Sequence, residues 1–426
     1  MPFFNPLILY SSNPAIREMN KTINKQNRRV VITGLGVVSS IGIGWPEFWK
    51  NLIAGKSGIS KIESFDTSAY DRHYGGEIKN FEPQKFIDRR KLKFLGRASQ
   101  LAIAASRLAL DDAKLNPKDL PKDRTGACIG TTMGEPQILE IMNRTRFTEG
   151  LDNIDPGLVP TYPSSVIPNN IAEEFKLGNK VYLFANACAS GNYSIGYSYD
   201  LIRTQKADIM LAGGADQFSR LNFTGFTRLM SIAPEKCQPF DKNRQGLIAG
   251  EGSGILIIES LDSALARKAD IYAEILGYGL SCDAHHMTMP SQDGIYMGIK
   301  QACDQARIDL DKVDYISAHG TGTPQNDQAE CKAIRHLFKE KVPPVSSIKS
   351  MLGHTMGAAS AIEAVSCCLA IKDGLIPPTI NFETPDPECD IDCVPNKARE
   401  AELNLVLNNA SAFGGNNCCV VVRKVG

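Results

Sequence analysis

The sequence predicts an α/β fold in which the central strands are buried on both faces. Short apolar runs alternate with longer segments whose apolar residues recur at helical spacing. Such alternation is typical of sheets that helices cover on both sides. The second half of the chain also repeats the pattern of the first, which predicts two similar halves packed together. At 426 residues, the chain exceeds the usual size of one domain, and a duplicated core accounts for that length.

Ordered structure of the first half is expected to begin at Arg28. A long segment at 96–114 carries Ala, Leu and Ser at helical spacing, and a second helix is predicted at 261–268. Strands are predicted at 30–33, 127–130, 181–184, 208–213 and 255–259.

The second half begins with a repeat of the first strand. AEILGYG at 273–279 echoes VITGLG at 31–36, and each is interpreted as a strand that closes on a G-x-G turn. Further strands are predicted at 315–320 and 345–348, followed by a closing hairpin of 403–408 with 418–422. Both G-x-G runs lack the third glycine and the later acid of a dinucleotide fingerprint, which argues against a Rossmann dehydrogenase.

The boundary between the halves is predicted near Ala269. This divides the chain into an N-terminal extension (1–27), an N-terminal half (28–268) and a C-terminal half (269–426). The extension carries three basic residues and one acid, Glu18. We interpret it as a loosely ordered segment, with a weak transit peptide as the alternative.

Composition excludes several classes of function. Lys plus Arg and Asp plus Glu both total 47, so the formal net charge is zero. Without a bulk positive field, a general nucleic-acid or membrane-surface role is not expected. No apolar run approaches the roughly 20 residues of a membrane span.

The cysteines do not predict a metal site or a disulfide framework. There are twelve, but none forms a CxxC pair. Most are interpreted as buried small hydrophobes of a cytoplasmic protein in a reducing environment.

Cys188 stands in a different setting from the other cysteines. A buried strand gives way to the small residues around Cys188, and a helical pattern follows at 193–203. The sulfur is therefore predicted at a helix N-terminus, where partial positive charge favours the reactive thiolate. On this segment alone, a buried inert cysteine is an equal alternative.

Three later segments carry further candidate residues. His319 follows a predicted strand within HGTGTP, and Lys349 and His354 stand five residues apart among small residues. Read alone, His319 is equally well a capped loop histidine. Phe413 lies between a strand and the pair Gly414-Gly415, whose backbone can approach a ligand closely.

These motifs, taken together, resemble those of the β-ketoacyl-acyl-carrier-protein synthases of the thiolase superfamily. ACAS around Cys188, HGTGTP and K-x-x-x-x-GH-x-x-GAA occur in the family's order and spacing, and the resemblance covers about 30–422. It implies a thiolase-like fold with a duplicated five-layer α-β-α-β-α architecture. It also implies an elongating synthase that works on phosphopantetheine-borne substrates of an acyl carrier protein, without a bound cofactor.

The resemblance also implies the roles of individual residues. Cys188 takes the acyl group, with backbone N–H groups of Cys188 and Phe413 as its oxyanion hole. His319 and His354 serve malonyl decarboxylation. The resemblance also implies that Lys349 orients the site through Glu330, with Asp327 nearby. Thr321 and Thr323 match positions that bind the pantetheine arm, and Met133 matches the floor of the acyl pocket.

The expected partners follow from the same resemblance. An acidic carrier protein requires basic docking residues, and Arg228 matches a docking position of the family. The run Arg89, Arg90, Lys91, Lys93 and Arg97 is either a second docking patch or a solvated surface. A dimer is expected, formed with a second copy or with a related ketosynthase-like subunit.

The segment before Phe413 departs from the family pattern. Ser411 and Ala412 stand where fatty-acid enzymes tend to have Phe and Gly. This loss of one aromatic residue and one hinge glycine leaves two pathways open: fatty-acid elongation, and a type II polyketide or polyene pathway. A degradative thiolase, an initiating synthase and an inactive chain-length factor fit less well, because the chain has Lys349, two histidines and Cys188.

Overall fold

The computed structural model describes residues 28–426, so the predicted N-terminal extension lies outside the described residues. The strands are β1 (Val30–Ser39), β2 (Gly42–Ile43), β3 (Ser60–Lys61), β4 (Tyr74–Gly75), β5 (Thr125–Gly130), β6 (Val181–Phe184), β7 (Ile209–Asp216), β8 (Gly252–Ser260), β9 (Ala273–Cys282), β10 (Tyr315–Ser317), β11 (Val345–Ser346), β12 (Leu375–Ile376), β13 (Arg399–Glu400), β14 (Leu405–Ser411) and β15 (Asn416–Arg423). The α-helices are α1 (Trp45–Ile53), α2 (Arg97–Asp112), α3 (Pro136–Thr148), α4 (Val166–Phe175), α5 (Ser190–Arg203), α6 (Arg220–Arg228), α7 (Leu261–Ala266), α8 (Gln292–Ala306), α9 (Pro324–Phe338), α10 (Lys349–Leu352) and α11 (Ala359–Asp373).

The strand order confirms that the fold is duplicated. The first half has the order β1-β8-β7-β5-β6, and the second half has the equivalent order β9-β15-β14-β10-β11. In each half the first strand pairs antiparallel with the last, and the inner pairs β5–β7 and β10–β14 are parallel. A short antiparallel pairing between β1 and β9 joins the two strand sets. The predicted boundary at Ala269 falls between α7 and β9.

The elements stack in five layers, as the resemblance implied. Helices α2 and α4 share one apolar cluster with the outer face of the first strand set, and α8 and α9 share another with the second set. Between the two sets lie α5 and α11, whose apolar residues belong to the largest core cluster. Helix α5 accordingly contacts β5 and β7 on one side and β9 and β15 on the other.

Small residues allow the two central helices to approach closely. A Cβ added to Gly191 on α5 would lie 2.7 Å from the backbone nitrogen of Ala361 on α11. The hydroxyl of Ser360 accepts a hydrogen bond of 3.0 Å from the backbone N–H of Asn192. Because the first residues of α5 and α11 meet in this way, the turns that precede both helices are held side by side.

The G-x-G runs lie within strands, and the prediction that they end the strands is wrong. Strand β1 continues through Gly34 and Gly36 to Ser39, and β9 continues to Cys282. A Cβ on Gly36 would lie 1.9 Å from the carbonyl oxygen of Ala105 on α2. The glycines therefore permit close helix packing and do not form turns.

Most of the cysteines are buried, as the sequence predicted. All twelve cysteines are free thiols, and Cys282 alone is exposed. Within residues 28–426 no helix is both long enough and apolar enough to cross a membrane.

We predict that Gly191→Ala lowers the free energy of unfolding by about 1–3 kcal/mol, because the added methyl group overpacks the α5–α11 contact. Gly225→Ala on α6 is the matched control, since nothing lies within 4 Å of its added Cβ. Urea unfolding followed by circular dichroism measures both variants. Equal midpoints for the two variants would contradict the central role of this contact.

Candidate active site

Cys188 lies in the short 3-10 turn Ala187–Ala189, between β6 and α5. Ala187 adopts a left-handed φ of 48°, which turns the chain sharply from strand to helix. The hydroxyl of Ser190 fastens the turn, since it accepts from the N–H of Asn186 at 2.8 Å and donates to the carbonyl of Ala187 at 2.6 Å. The thiol thus sits at the N-terminus of α5, where the sequence placed it.

The two predicted histidines flank the sulfur. The Nε2 atom of His354 is 3.0 Å from the Sγ atom of Cys188. The rings of His319 and His354 are nearly perpendicular, with centroids 5.4 Å apart. Ring nitrogens of both histidines and the sulfur lie within 4.8 Å of one another, and all three side chains are buried.

Hydrogen bonds at Nδ1 set the tautomer of each imidazole. The Nδ1 atom of His354 accepts from the backbone N–H of Met356 at 3.3 Å. The Nδ1 atom of His319 lies 3.4 Å from the ammonium of Lys349, a group that donates hydrogen bonds and cannot accept them. Both rings therefore carry their proton on Nε2. Burial, followed by the charge of Lys349, holds the pKa of both histidines well below its usual range, so both are neutral.

Lys349 is fully buried and has a different acidic partner from the one predicted. Its ammonium forms an ion pair with Glu363 on α11 and donates to the carbonyl oxygen of His319 at 2.6 Å. The prediction that Lys349 acts through Glu330 is wrong, because Glu330 bonds elsewhere. Glu363 was missed, although it is the only acid in the apolar stretch 350–371.

Glu330 holds the backbone of the His319 loop. Its carboxylate accepts from the N–H groups of His319 at 2.7 Å and Gly320 at 2.8 Å, and from the side chain of Asn409 at 2.7 Å. Burial raises the pKa of Glu330 to about 7. Its function is therefore to position His319.

Asp327 has a similar bracing function one turn earlier on α9. Its carboxylate accepts from the N–H groups of Phe240 at 2.9 Å and Gly322 at 3.2 Å. Asp327 does not line the cavity above Cys188, so the prediction that it contacts substrate is not supported.

One cavity reaches Cys188, His319 and His354 together. This cavity is lined by three residues that were predicted to belong to the site: Thr321, Thr323 and Phe413. The hydroxyls of Thr321 and Thr323 are 2.8 Å apart. Ser411, Ala412 and Gly415, from the segment that the sequence singled out around Phe413, also line it. The sequence did not indicate the other lining residues: Phe226, Leu247, His286, Met287, Thr288, Pro290 and Asn326.

Met133 lies outside this cavity. Its backbone N–H donates at 3.1 Å to the buried carboxylate of Asp216, which also accepts from Thr132 at 2.7 Å and Gly357 at 2.6 Å. Asp216 therefore fastens the turn after β5 to the turn that precedes α11. The sequence does not indicate this role of Asp216, because its hydrogen-bond partners are far away in the chain.

The sulfur of Cys188 is a neutral thiol in the resting site. Burial raises its pKa to about 12, although the charge of Lys349 and the backbone N–H groups of Phe413 and Cys188 oppose this. The helix N-terminus favours the thiolate, as predicted from the sequence, but desolvation of the buried sulfur outweighs this effect. The same two N–H groups lie close enough to the sulfur to lower its pKa, and they are the groups that the resemblance assigns to the oxyanion hole.

The predicted basic residues differ in their surroundings. Arg228 and Arg89 are exposed and have no ion pair among the described residues. Arg90 pairs with Asp88 at 2.7 Å, Lys91 pairs with Glu174 and Arg97 pairs with Glu251. Three of the five basic residues in the run 89–97 are therefore paired, and Arg228 is the clearer docking candidate because it ends the helix whose Phe226 lines the cavity.

The three clustered side chains also have the composition of a metal site. The neighbouring ammonium of Lys349 would repel a divalent cation, and the Nε2 protons occupy the lone pairs that would bind it. The arrangement favours nucleophilic and hydrogen-bonding chemistry over metal binding.

Comparisons with known proteins agree with this geometry. Residues 27–264 match the family described as β-ketoacyl synthase, N-terminal domain, and residues 272–383 match its C-terminal domain. The chain is 39% identical over 409 residues to the 3-oxoacyl-[acyl-carrier-protein] synthase 2 of Staphylococcus aureus (strain N315), an alignment that covers 94% of this chain and 99% of the relative.

Solved structures of ketosynthases superpose on the whole described fold. The ishigamide ketosynthase/chain length factor has a TM-score of 0.92 at 46% identity, covering 94% of this chain and 100% of that one. A type II polyketide ketosynthase, bound to a hexaketide and in complex with its acyl-carrier protein, has a TM-score of 0.84 at 35% identity with the same coverage. The chain therefore belongs to the β-ketoacyl synthase family.

Proposed function

We propose that the chain is a β-ketoacyl-acyl-carrier-protein synthase that joins an enzyme-bound acyl group to a malonyl unit, as in fatty-acid elongation. The observation that carries the proposal is the buried thiol of Cys188 facing two neutral imidazoles with their protons on Nε2. One nucleophile and two hydrogen-bond donors are what a two-stage acyl transfer and condensation requires.

In the first stage, Cys188 attacks the thioester of an acyl group carried on phosphopantetheine. The tetrahedral oxyanion receives hydrogen bonds from the backbone N–H groups of Cys188 and Phe413. The Cys188 thiol loses one proton and the departing pantetheine sulfur takes up one, so this stage has no net change in protons. The Nε2–H of His354, at 3.0 Å, stabilises negative charge on the sulfur as it forms.

In the second stage, a malonyl thioester enters and releases carbon dioxide. The enolate oxygen that forms receives hydrogen bonds from Nε2 of His319 and His354, which need no proton transfer to act. The enolate carbon then attacks the acyl-Cys188 carbonyl, and collapse of the intermediate expels the thiolate, which takes a proton from water.

Lys349 supports this stage by positioning. Its ammonium holds the carbonyl and Nδ1 of His319, and Glu363 balances its charge. No resident cofactor enters the proposed reaction.

The substrates are proposed to arrive on an acyl carrier protein. Thr321 and Thr323 line the cavity on the path to Cys188 and suit the polar pantetheine arm. The exposed Arg228 ends α6, whose Phe226 also lines the cavity, and so it suits an acidic carrier docked at the entrance. We further propose a dimer with a second copy or a related subunit, and a cytoplasmic location, which suits twelve free thiols.

A type II polyketide or polyene pathway is the second candidate. The specific observation in its favour is the 46% identity to the ishigamide ketosynthase/chain length factor. Co-purification with a homologous subunit that lacks the nucleophilic cysteine would favour this pathway over fatty-acid elongation.

Other members of the superfamily fit less well. A thiolase requires a second cysteine near the C-terminus, whereas Cys418 and Cys419 are buried on β15 and do not line the cavity. A chain-length factor lacks the nucleophile that Cys188 provides.

We predict that Cys188→Ala abolishes the acyl-enzyme, because no other cysteine lines the cavity. Intact-mass spectrometry with acyl-carrier protein detects the mass shift. Cys282→Ser is the matched control, since it removes the one exposed thiol, and it should acylate like the wild type. A persistent mass shift in Cys188→Ala would refute the assignment.

His319→Ala is expected to retain acylation and to lower the condensation rate by about 10²–10³-fold, the usual cost of one oxyanion donor. The two stages are measured separately, as acyl-enzyme mass and as carbon dioxide release. The exposed His336→Ala on α9 serves as the control and should leave both stages unchanged. Equal losses in the two stages would contradict the assigned role.

The raised pKa of Cys188 predicts slow alkylation that accelerates with pH. In a Cys282→Ser background, the iodoacetamide rate should rise about tenfold per unit between pH 7 and 9, in proportion to the thiolate fraction. The rate is measured by mass spectrometry. A plateau below pH 7 would instead indicate a stable resting thiolate.

A further inference from the structure

Ser411 is the last residue of β14 and lines the cavity that contains Cys188 and His319. Its side chain is 2% exposed, and its Oγ atom has no hydrogen-bond partner within the described part of the chain. Several other buried polar atoms there also lack a partner, but none of them belongs to a residue that lines this cavity. Ser411 therefore combines an unsatisfied hydroxyl with a place in the wall of the cavity that contains the reacting groups.

The position of Ser411 is fixed by the sheet. It pairs in register with Asn417 of β15. Two residues earlier on β14, the side-chain nitrogen of Asn409 donates a hydrogen bond of 2.7 Å to the carboxylate of Glu330. Two residues after Ser411, the backbone N–H of Phe413 lies close enough to Cys188 to lower the pKa of its thiol. The hydroxyl is thus held on a rigid strand end, close to the proposed oxyanion hole.

A buried hydroxyl without a partner is unfavourable, and native proteins rarely keep one unless a ligand or an ordered water satisfies it. Alanine would fill nearly the same volume without this cost. The neighbouring residue Ala412 shows that a small apolar side chain is compatible with this part of the cavity wall.

The chemistry of the cavity identifies the complementary ligand atom. The polar groups around Cys188 include three donors: the Nε2–H groups of His319 and His354 and the backbone N–H of Phe413. The hydroxyls of Thr321 and Thr323 bond to each other. The part of a ligand that reaches Cys188 therefore meets donors and must supply acceptors, and the acceptors of a thioester or a malonyl unit are oxygen atoms.

We propose that the Ser411 hydroxyl donates a hydrogen bond to an oxygen atom of the carrier-bound substrate, and so positions that substrate for reaction at Cys188. The inference rests on the proposed function and adds a substrate-positioning residue to it. Two oxygen sources share this chemistry: the incoming acyl thioester of the first stage and the malonyl group of the second.

The test measures Ser411→Ala in the two partial reactions. Acyl-enzyme formation is followed by intact mass and malonyl-carrier protein decarboxylation by carbon dioxide release, each over a range of substrate concentration. We expect a loss of about tenfold in one of them, the usual effect of removing one hydrogen bond. Loss in acylation identifies the acyl oxygen, and loss in decarboxylation identifies the malonyl oxygen.

Ser106→Ala is the matched control. Ser106 is a buried serine on α2 whose hydroxyl also lacks a partner, but it does not line the cavity. It should leave both rates unchanged. Ser411→Ala rates within twofold of the wild type in both reactions, or equal losses accompanied by a lower thermal midpoint, would overturn the proposal. Absence of both reactions in the wild type would instead contradict the proposed function itself.

Discussion

The close contact between α5 and α11 is the constraint on which the site depends. Each helix belongs to one half of the duplicated fold, and small residues such as Gly191 and Ala361 let their first turns touch. Cys188 precedes one helix and His354 precedes the other, so the contact sets the 3.0 Å separation of sulfur and imidazole. Neither half contains the site alone, because the nucleophile comes from the first and the histidines come from the second.

A single buried ammonium then organises the charges around that contact. Glu363 pairs with the ammonium of Lys349, which matters in this interior because an unpaired buried charge is strongly destabilising. Once paired, the ammonium directs its remaining protons to the carbonyl and ring of His319. Burial, and after it the charge of Lys349, lowers the pKa of both histidines. The ion pair therefore orients His319 and sets its tautomer, whereas Glu330 fastens the loop backbone.

The resulting cavity presents hydrogen-bond donors to a chemistry that develops negative charge on oxygen. Such preorganised donors are effective in a dry site because they need not reorient during reaction. The dry environment also acts on the thiol, because burial keeps Cys188 protonated at rest and the thiolate forms only as the substrate is attacked. The unpartnered hydroxyl of Ser411 extends this donor surface to a position where the chain departs from the family pattern.

The sequence by itself determined the α/β class, the duplication, and the identity of Cys188, His319, Lys349 and His354, because local motifs and apolar periodicity carry that information. The sequence also predicted strand β6 at the residues where the structure has it, Val181–Phe184. Only the tertiary structure decided that Glu363 balances Lys349, that Asp216 fastens two turns, and that Gly36 packs beneath a helix. Those contacts join residues far apart in the chain; even Cys188 and His354 are separated by 166 positions. Burial, which arises only on folding, also decided the protonation of the thiol and of both imidazoles.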